Sequence, residues 1–211
     1  CILLDDDQDE LLGAYYCDGD STIVVTSNKG YGLQYHETSV SLIGMKTQGV
    51  KAMNLEDDDW LADFIVVNKG QKSNILLVTK QGGYRIFNPN LLPVGARTSS
   101  VVPIYKFYRT DPHYVQHMCF LQENVNYSIL SSVRGVVEIV FDATRATPLG
   151  KSIKGSLTQK DECIYWLSDY HVSIIDAETK NYTPVEKPAT SKVKLEDDAD
   201  RITIFDYLDK L

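Results

Sequence analysis

The sequence lacks any long apolar run. Its longest stretches, such as residues 75–78, are far shorter than the roughly 20 residues that a helix needs to cross a bilayer. The four cysteines are too few for a disulfide scaffold, and none forms the C-x-x-C pair that is typical of zinc sites. Neither an initiator methionine nor a secretion signal is present. We therefore expect a fragment of a longer, reduced, cytoplasmic protein that does not enter a membrane.

Motifs for catalysis and cofactor binding are also missing. The sequence contains neither a G-x-x-x-x-G-K-[ST] nor a G-x-G-x-x-G motif, and no G-x-S-x-G elbow. His113 and His117, with Asp111 and Cys119 nearby, have a spacing that could suit a metal. Two residues four positions apart also fall on one face of a strand by chance. We therefore favour a structural role for these residues over metal binding. We predict no catalytic residue, no cofactor and no metal in this chain.

Acidic residues are absent from one long segment. The whole chain has a net charge of −8, but residues 64–110 contain seven bases and no acid. By segment, residues 1–22 carry −7, residues 23–160 carry +5 and residues 161–211 carry −6. The central bases can therefore form a positive stripe despite the negative total. The alternative is a solvated surface that is positive by chance.

The chain contains internal repeats. A β-rich run that leads into a Gly or polar turn starts at 23, 75, 129 and about 172. A Gly-x-basic-Thr step follows at Gly44 and Gly95, with a weaker copy at Gly150. These landmarks predict a single propeller-like domain fragment, 1–211, made of four blades that follow the tail of an earlier one. The predicted tail is 1–22, and the blades are 23–74, 75–127, 128–170 and 171–211.

Each repeat is rich in Val, Ile, Tyr and Thr between Gly, Asn, Asp and Pro turns, which favours short strands. No window shows a capped apolar stripe of helical period, so helix should be scarce. Repeats of about four strands predict an all-β, propeller-like array in which neighbouring blades bury each other's faces. A large β-sandwich is the alternative, although it would not explain the constant order of the landmarks.

Residues 44–58, GMKTQGVKAMNLEDD, resemble a repeat of the C-terminal domain of the A subunits of bacterial type IIA topoisomerases. The run ILLVTKQGGYRI at 75–86 fits the same family. The resemblance implies a β-pinwheel. This is a propeller-like disc of four-stranded blades, stacked at right angles, that exchange strands with their neighbours.

The resemblance also implies a function. Such a domain binds and bends duplex DNA around a basic perimeter and guides which segment the catalytic core passes through the break. The implied partners are duplex DNA, the same polypeptide's catalytic core and the ATPase-bearing B subunit, in a bacterial cytoplasm. The chain would then be the accessory domain of an ATP-dependent topoisomerase. A protein-interaction β-propeller scaffold is the alternative.

Gyrase A subunits carry a basic box, Q-R-R-G-G-K-G, that is needed for full wrapping. The matching stretches here, 45–51 and 96–100, contain one or two bases instead of three. This difference resembles the topoisomerase IV A subunit more than gyrase. It favours weaker bending over a tight wrap.

The predicted DNA contacts are basic side chains at recurring positions along the repeats. Lys46 and Arg97 are predicted to be equivalent, and so are Lys29 and Lys80. The full set is Lys29, Lys46, Lys51, Lys72, Lys80, Arg85, Arg97, Lys106, Arg109, Lys151 and Lys154. Nearby glycines should let the backbone approach phosphate, namely Gly30, Gly32, Gly82 and Gly83. For any single base, a solvated lysine or arginine is the alternative interpretation.

Overall fold

The computed structural model describes residues 10–44, 49–159 and 161–168. These residues form strands joined by turns, with two short 3₁₀ turns at Glu37–Ser39 and Pro89–Leu91 and no α-helix. The strands are β1 (Thr22–Ser27), β2 (Tyr31–His36), β3 (Leu61–Val67), β4 (Ile75–Thr79), β5 (Gly83–Phe87), β6 (Val94–Gly95), β7 (Val102–Pro103), β8 (Val115–Phe120), β9 (Asn126–Ser131), β10 (Gly135–Val140), β11 (Lys154–Ser156) and β12 (Ile164–Ser168). Within the described residues, no helix has the length and apolar character that crossing a membrane requires. The predicted all-β class is confirmed.

The strands form three sheets built on one plan. Each begins with an antiparallel hairpin, β1–β2, β4–β5 or β9–β10. A third strand, β3, β8 or β12, then pairs antiparallel with the first strand of its hairpin. Equivalent pairs in the three hairpins are Val25–Leu33, Leu77–Arg85 and Ile129–Val137, so the hairpins recur every 52 residues. The repeats inferred from the sequence are therefore structural repeats.

Neighbouring sheets exchange strands. The short strands β6 and β7, which follow the second hairpin, pair with β2 of the first sheet. In the same way, β11 follows the third hairpin but pairs with β5 of the second sheet. Two backbone bonds anchor the exchange at equivalent places, from Ile104 N to Gly30 O at 2.8 Å and from Leu157 N to Gly82 O at 2.7 Å. This exchange is the β-pinwheel arrangement that the resemblance implied.

The predicted number of four strands per blade holds for the second sheet. The first sheet has five strands because its exchanged segment is divided into β6 and β7, and the third has three within the described residues. The predicted boundary between 127 and 128 falls inside β9. Every described residue belongs to one compact unit of the chain. The predicted blade 171–211 lies outside the described residues.

Strand β4 is buried on both faces because the second sheet lies between the other two. Its residues Ile75 to Val78 are each 0% exposed. Ile75 and Leu77 pack in one cluster with Val24 of the first sheet, whereas Leu76 and Val78 pack in another with Ile129 of the third sheet. Side chains alternate along a strand, so a strand covered on both faces is a continuous apolar run.

A buried carboxylate joins the third hairpin to the loop before β12. Glu162 is 4% exposed and accepts hydrogen bonds from Arg134 Nε at 2.7 Å, from Gln159 N at 2.7 Å and from Ser131 Oγ. The bonds from Arg134, and then those from Ser131 and Gln159, lower the pKa of Glu162 from 4.5 to about 2. A carboxyl whose pKa is depressed by folding stabilises the fold above its unfolded pKa and loses this effect as the pH falls towards its folded pKa.

We therefore expect the free energy of unfolding to fall between about pH 4.5 and about pH 2, in part because Glu162 becomes protonated. Urea denaturation of the wild type and of Glu162→Gln across this range measures that contribution. The gap in stability between the two proteins should be largest near neutral pH and should narrow in acid. A gap that stays constant with pH would contradict this assignment.

Candidate nucleic-acid interface

The structure separates the predicted basic residues into exposed and sequestered ones. Six have exposed side chains, namely Lys51, Lys72, Lys80, Lys106, Arg109 and Lys151. Lys29, Arg85 and Arg97 are held by contacts within the chain, as detailed below. Lys46 and the side chain of Lys154 lie outside the described residues. The interface must therefore be assembled from the exposed group.

Strand exchange brings Lys106 and Lys151 together, although they come from different repeats. The segment 148–152, which precedes β11, lies against 104–109, which follows β7; we call the two segments the paired loops. Gly150 N donates to Ile104 O at 3.1 Å, and Lys106 N donates to Lys151 O at 3.0 Å. A parallel bridge joins Tyr105 to Lys151. The two lysines therefore lie on adjacent stretches of backbone.

The side chains of Lys106, Tyr108 and Ser152 form a polar, cationic surface on the paired loops. Lys106 Nζ lies 5.0 Å from the centroid of the Tyr108 ring, and the Tyr108 hydroxyl shares a 3.1 Å hydrogen bond with Ser152 Oγ. That bond, together with the charge of Lys106, lowers the pKa of Tyr108. Among the residues that the structure describes, neither Lys106 nor Lys151 forms an ion pair with a carboxylate. Their charges are available to an anionic ligand.

Arg109 extends this surface towards a cleft of about 370 Å³ lined by Lys29, Asp58, Trp60 and Tyr114. Its positive charge contributes to lowering the pKa of Asp58, although the hydrogen bond from Lys29 is the larger cause. Arg109 is therefore partly compensated by an acid, unlike Lys106 and Lys151.

Lys29 is neutralised by the acidic turn of its own repeat. Its side chain is only 12% exposed and pairs with Asp58, and with Glu56 at 3.6 Å. The predicted equivalence of Lys29 and Lys80 is also off by one residue. Asn28 N donates to Trp60 O as Lys80 N donates to Tyr114 O, so Asn28 is the counterpart of Lys80. We remove Lys29 from the candidate interface.

Arg85 is also removed from the interface, because it is 3% exposed. Its guanidinium donates to the carbonyls of Lys151 and Ser152, both at 2.9 Å, and to that of Pro148. Side chains alternate between the two faces of a strand, so Arg85 lies on one face of β5, and Tyr84 and Ile86 lie on the other. Because the second sheet is covered on both faces, neither face of β5 can present a solvated base.

Arg97, like Arg85, donates hydrogen bonds to backbone carbonyls of another segment. It is half-buried, and its guanidinium donates to Ser39 O at 3.2 Å and to Lys51 O. Asn54 Nδ2 reinforces this contact by donating to Thr98 O at 2.9 Å. Arg97 therefore fixes the backbone of the exposed Lys51, while its own donors are partly used.

The histidines that were considered as metal ligands make other contacts. His113 Nδ1 lies 2.9 Å from Thr79 Oγ1, and burial lowers the pKa of its imidazole. His117 Nδ1 lies 2.9 Å from Asp63 Oδ2, which also accepts from Met118 N at 2.6 Å and so joins the first two sheets. Within the described part of the chain, no three His, Cys, Asp or Glu side chains are grouped to hold a metal.

Two residues of the paired loops, Tyr108 and Ser152, were not among the site residues predicted from the sequence. Tyr108 lies between Lys106 and Arg109, so an aromatic residue among bases was a visible signal. Ser152 gave no comparable signal, because its contact with Tyr108 depends on strand exchange.

Comparisons with known proteins agree with this architecture. Residues 21–68 match the family model described as the DNA gyrase C-terminal domain, β-propeller. The A subunit of DNA topoisomerase 4 from Staphylococcus epidermidis is 29% identical over 118 residues, which are 56% of this chain but 14% of that protein. The chain thus spans about one seventh of that relative's length.

Solved structures show the same fold. The crystal structure of the C-terminal domain of DNA topoisomerase IV matches with a TM-score of 0.71 and 19% identity, covering 79% of this chain and 51% of that one. The DNA gyrase A C-terminal domain matches with a TM-score of 0.59 and 17% identity, covering 70% and 50%. The resemblance to the C-terminal domains of the topoisomerase IV and gyrase A subunits is confirmed.

Proposed function

We propose that this chain, which is similar to the C-terminal domains of type IIA topoisomerase A subunits, binds and bends duplex DNA without reading its sequence. In the full enzyme it would act as the accessory domain of a topoisomerase IV A subunit in the bacterial cytoplasm. There it would guide the choice of DNA segment for the catalytic core and the ATPase-bearing B subunit. One observation carries this proposal: Lys106 and Lys151 are exposed, lack a carboxylate partner among the described residues, and lie on backbone segments that are hydrogen-bonded to each other.

The physical basis of binding is electrostatic. Duplex DNA carries about one negative charge per 1.7 Å of its axis, and each phosphate neutralised by a lysine releases condensed counterions. Such contacts position a duplex but carry no base information. The ammonium groups of Lys106 and Lys151 suit this role, since both are point charges on flexible stems.

Modest bending fits the chain better than a tight wrap. Smoothly bending 20 to 30 base pairs costs on the order of 1–6 kcal/mol, which successive phosphate contacts must offset. Of the two stretches that match the gyrase box, 96–100 uses its base, Arg97, to hold backbone carbonyls. With fewer free bases, fewer phosphate contacts are available to offset the free-energy cost of bending the duplex.

The test measures the affinity of the chain for two labelled duplexes of unrelated sequence, by fluorescence anisotropy, between 50 and 200 mM salt. If all six exposed bases contact phosphate, affinity should drop up to about a thousandfold across this range, equally for both duplexes. Energy transfer between dyes at the duplex ends reports bending. A flat salt curve, or a strong preference for one sequence, would overturn the proposal and favour the protein-interaction scaffold.

A further inference from the structure

Arg85 occupies a position that is aliphatic in the other hairpins. The equivalent residues are Leu33 in the first sheet and Val137 in the third, each opposite an aliphatic residue of the neighbouring strand. Leu33 is as buried as Arg85. The fold therefore accommodates an apolar side chain at this point of the repeat. Packing alone does not require a cation there.

Burial of Arg85 is costly by itself. Among the described residues it has no carboxylate partner, its Nε lacks a hydrogen-bond acceptor, and burial lowers the pKa of its guanidinium. A buried ion without a counter-charge opposes folding, and replacing buried ions by apolar residues of similar volume is often neutral or stabilising. Some compensating contact must favour arginine here.

That contact is the segment 148–152 of the paired loops. Arg85 donates to three of its carbonyls, those of Pro148, Lys151 and Ser152. The Lys151 carbonyl is shared, because it accepts both from Arg85 Nη1 at 2.9 Å and from Lys106 N at 3.0 Å. The buried guanidinium of Arg85 and the backbone N–H of Lys106 thus both hold the carbonyl of Lys151 in place.

We propose that Arg85 is a positioning residue, which fixes the segment 148–152 so that Lys151 stays beside Lys106 and both reach the phosphates of one duplex. The inference rests on the proposed function. Arg85 is too buried to touch DNA itself, so it acts through the two lysines. A loop that is ordered before binding loses less conformational entropy when DNA binds, which raises affinity.

The experiment compares the wild type with Arg85→Leu, which installs the residue of the equivalent position 33, and with Arg85→Lys. We expect Arg85→Leu to unfold at the wild-type temperature or above, and its backbone amides at 149–152 to exchange hydrogen faster. Its affinity for duplex DNA should fall about three- to tenfold, and the slope of log affinity against log salt should flatten by about one contact. Arg85→Lys should recover part of both losses.

The salt slope separates positioning from loss of folded protein. A general destabilisation would lower the bound fraction without changing the number of phosphate contacts. In the background Lys106→Ala plus Lys151→Ala, Arg85→Leu should cause no further loss of affinity, because the residues act as one unit.

Two outcomes overturn different claims. If the wild type binds with a steep salt dependence and Arg85→Leu binds with the same affinity and slope, the positioning role is excluded and the proposed function stands. If the wild type shows no salt-dependent binding, the proposed function fails. Unchanged hydrogen exchange at 149–152 in Arg85→Leu excludes the positioning role whatever the DNA result.

Discussion

Reversing the charges of Lys106 and Lys151 together is expected to abolish most of the duplex affinity at physiological salt. Each lysine that contacts phosphate contributes about one unit to the slope of log affinity against log salt. The double variant Lys106→Glu plus Lys151→Glu should therefore lower this slope by about two. It also places two carboxylates against the phosphates, so the loss should exceed that caused by alanine. Anisotropy titrations at three salt concentrations give both quantities.

The control must change the net charge equally without touching the paired loops. Lys69 and Arg145 are exposed bases already paired with acids, Lys69 with Asp20 and Arg145 with Asp142 at 2.8 Å. Their double reversal to glutamate should leave the salt slope near the wild-type value. Equal losses in both double variants would mean that only net charge matters and that the paired loops are not the interface.

The repeat and the strand class could be predicted from the sequence because they depend on local order. The runs predicted to start at 23, 75 and 129 correspond to β1, β4 and β9, which begin at 22, 75 and 126. Val, Ile and Thr between glycine turns specify hairpins without reference to the rest of the chain.

The accessibility of each base could not be predicted in the same way. Arg85 and Lys80 lie five residues apart in an acid-free segment, yet one is buried between sheets and the other is exposed. This difference arises from sheet stacking, which composition does not contain. Lys106 and Lys151 were both predicted as contacts, but their adjacency depends on two segments that dock across repeats. Non-local pairing of this kind is set by the assembled fold rather than by spacing along the chain.

The glycines were expected to approach phosphate, and for two of them the structure gives another reason. Gly30 has a φ of +82°, and a Cβ there would lie 2.2 Å from the ring of Tyr105. Gly82 has a φ of +80°, and a Cβ there would lie 2.2 Å from Thr158 Oγ1. Both glycines are buried beneath the exchanged segment of the next repeat.

Gly30→Ala is expected to be among the most destabilising single substitutions in the first two sheets. The positive φ costs about 1–2 kcal/mol for a residue with a Cβ, and overpacking against a buried ring costs about 1–3 kcal/mol more. Tyr105 has little room to move, because its hydroxyl donates to His113 O at 2.5 Å and its ring belongs to the core between the first two sheets. Thermal unfolding should shift downwards by roughly 5–15 °C.

The matched control is Gly49→Ala, since a Cβ at Gly49 meets no atom of the described residues within 4 Å and its φ is not positive. This variant should unfold within about 2 °C of the wild type. Because Tyr105 precedes Lys106, displacing its ring in Gly30→Ala should also weaken DNA binding at temperatures where the variant is still folded. A Gly30→Ala protein with wild-type stability would mean that the exchanged segment is not locked at this turn. Strand exchange would then lose its role in setting the position of Lys106 beside Lys151.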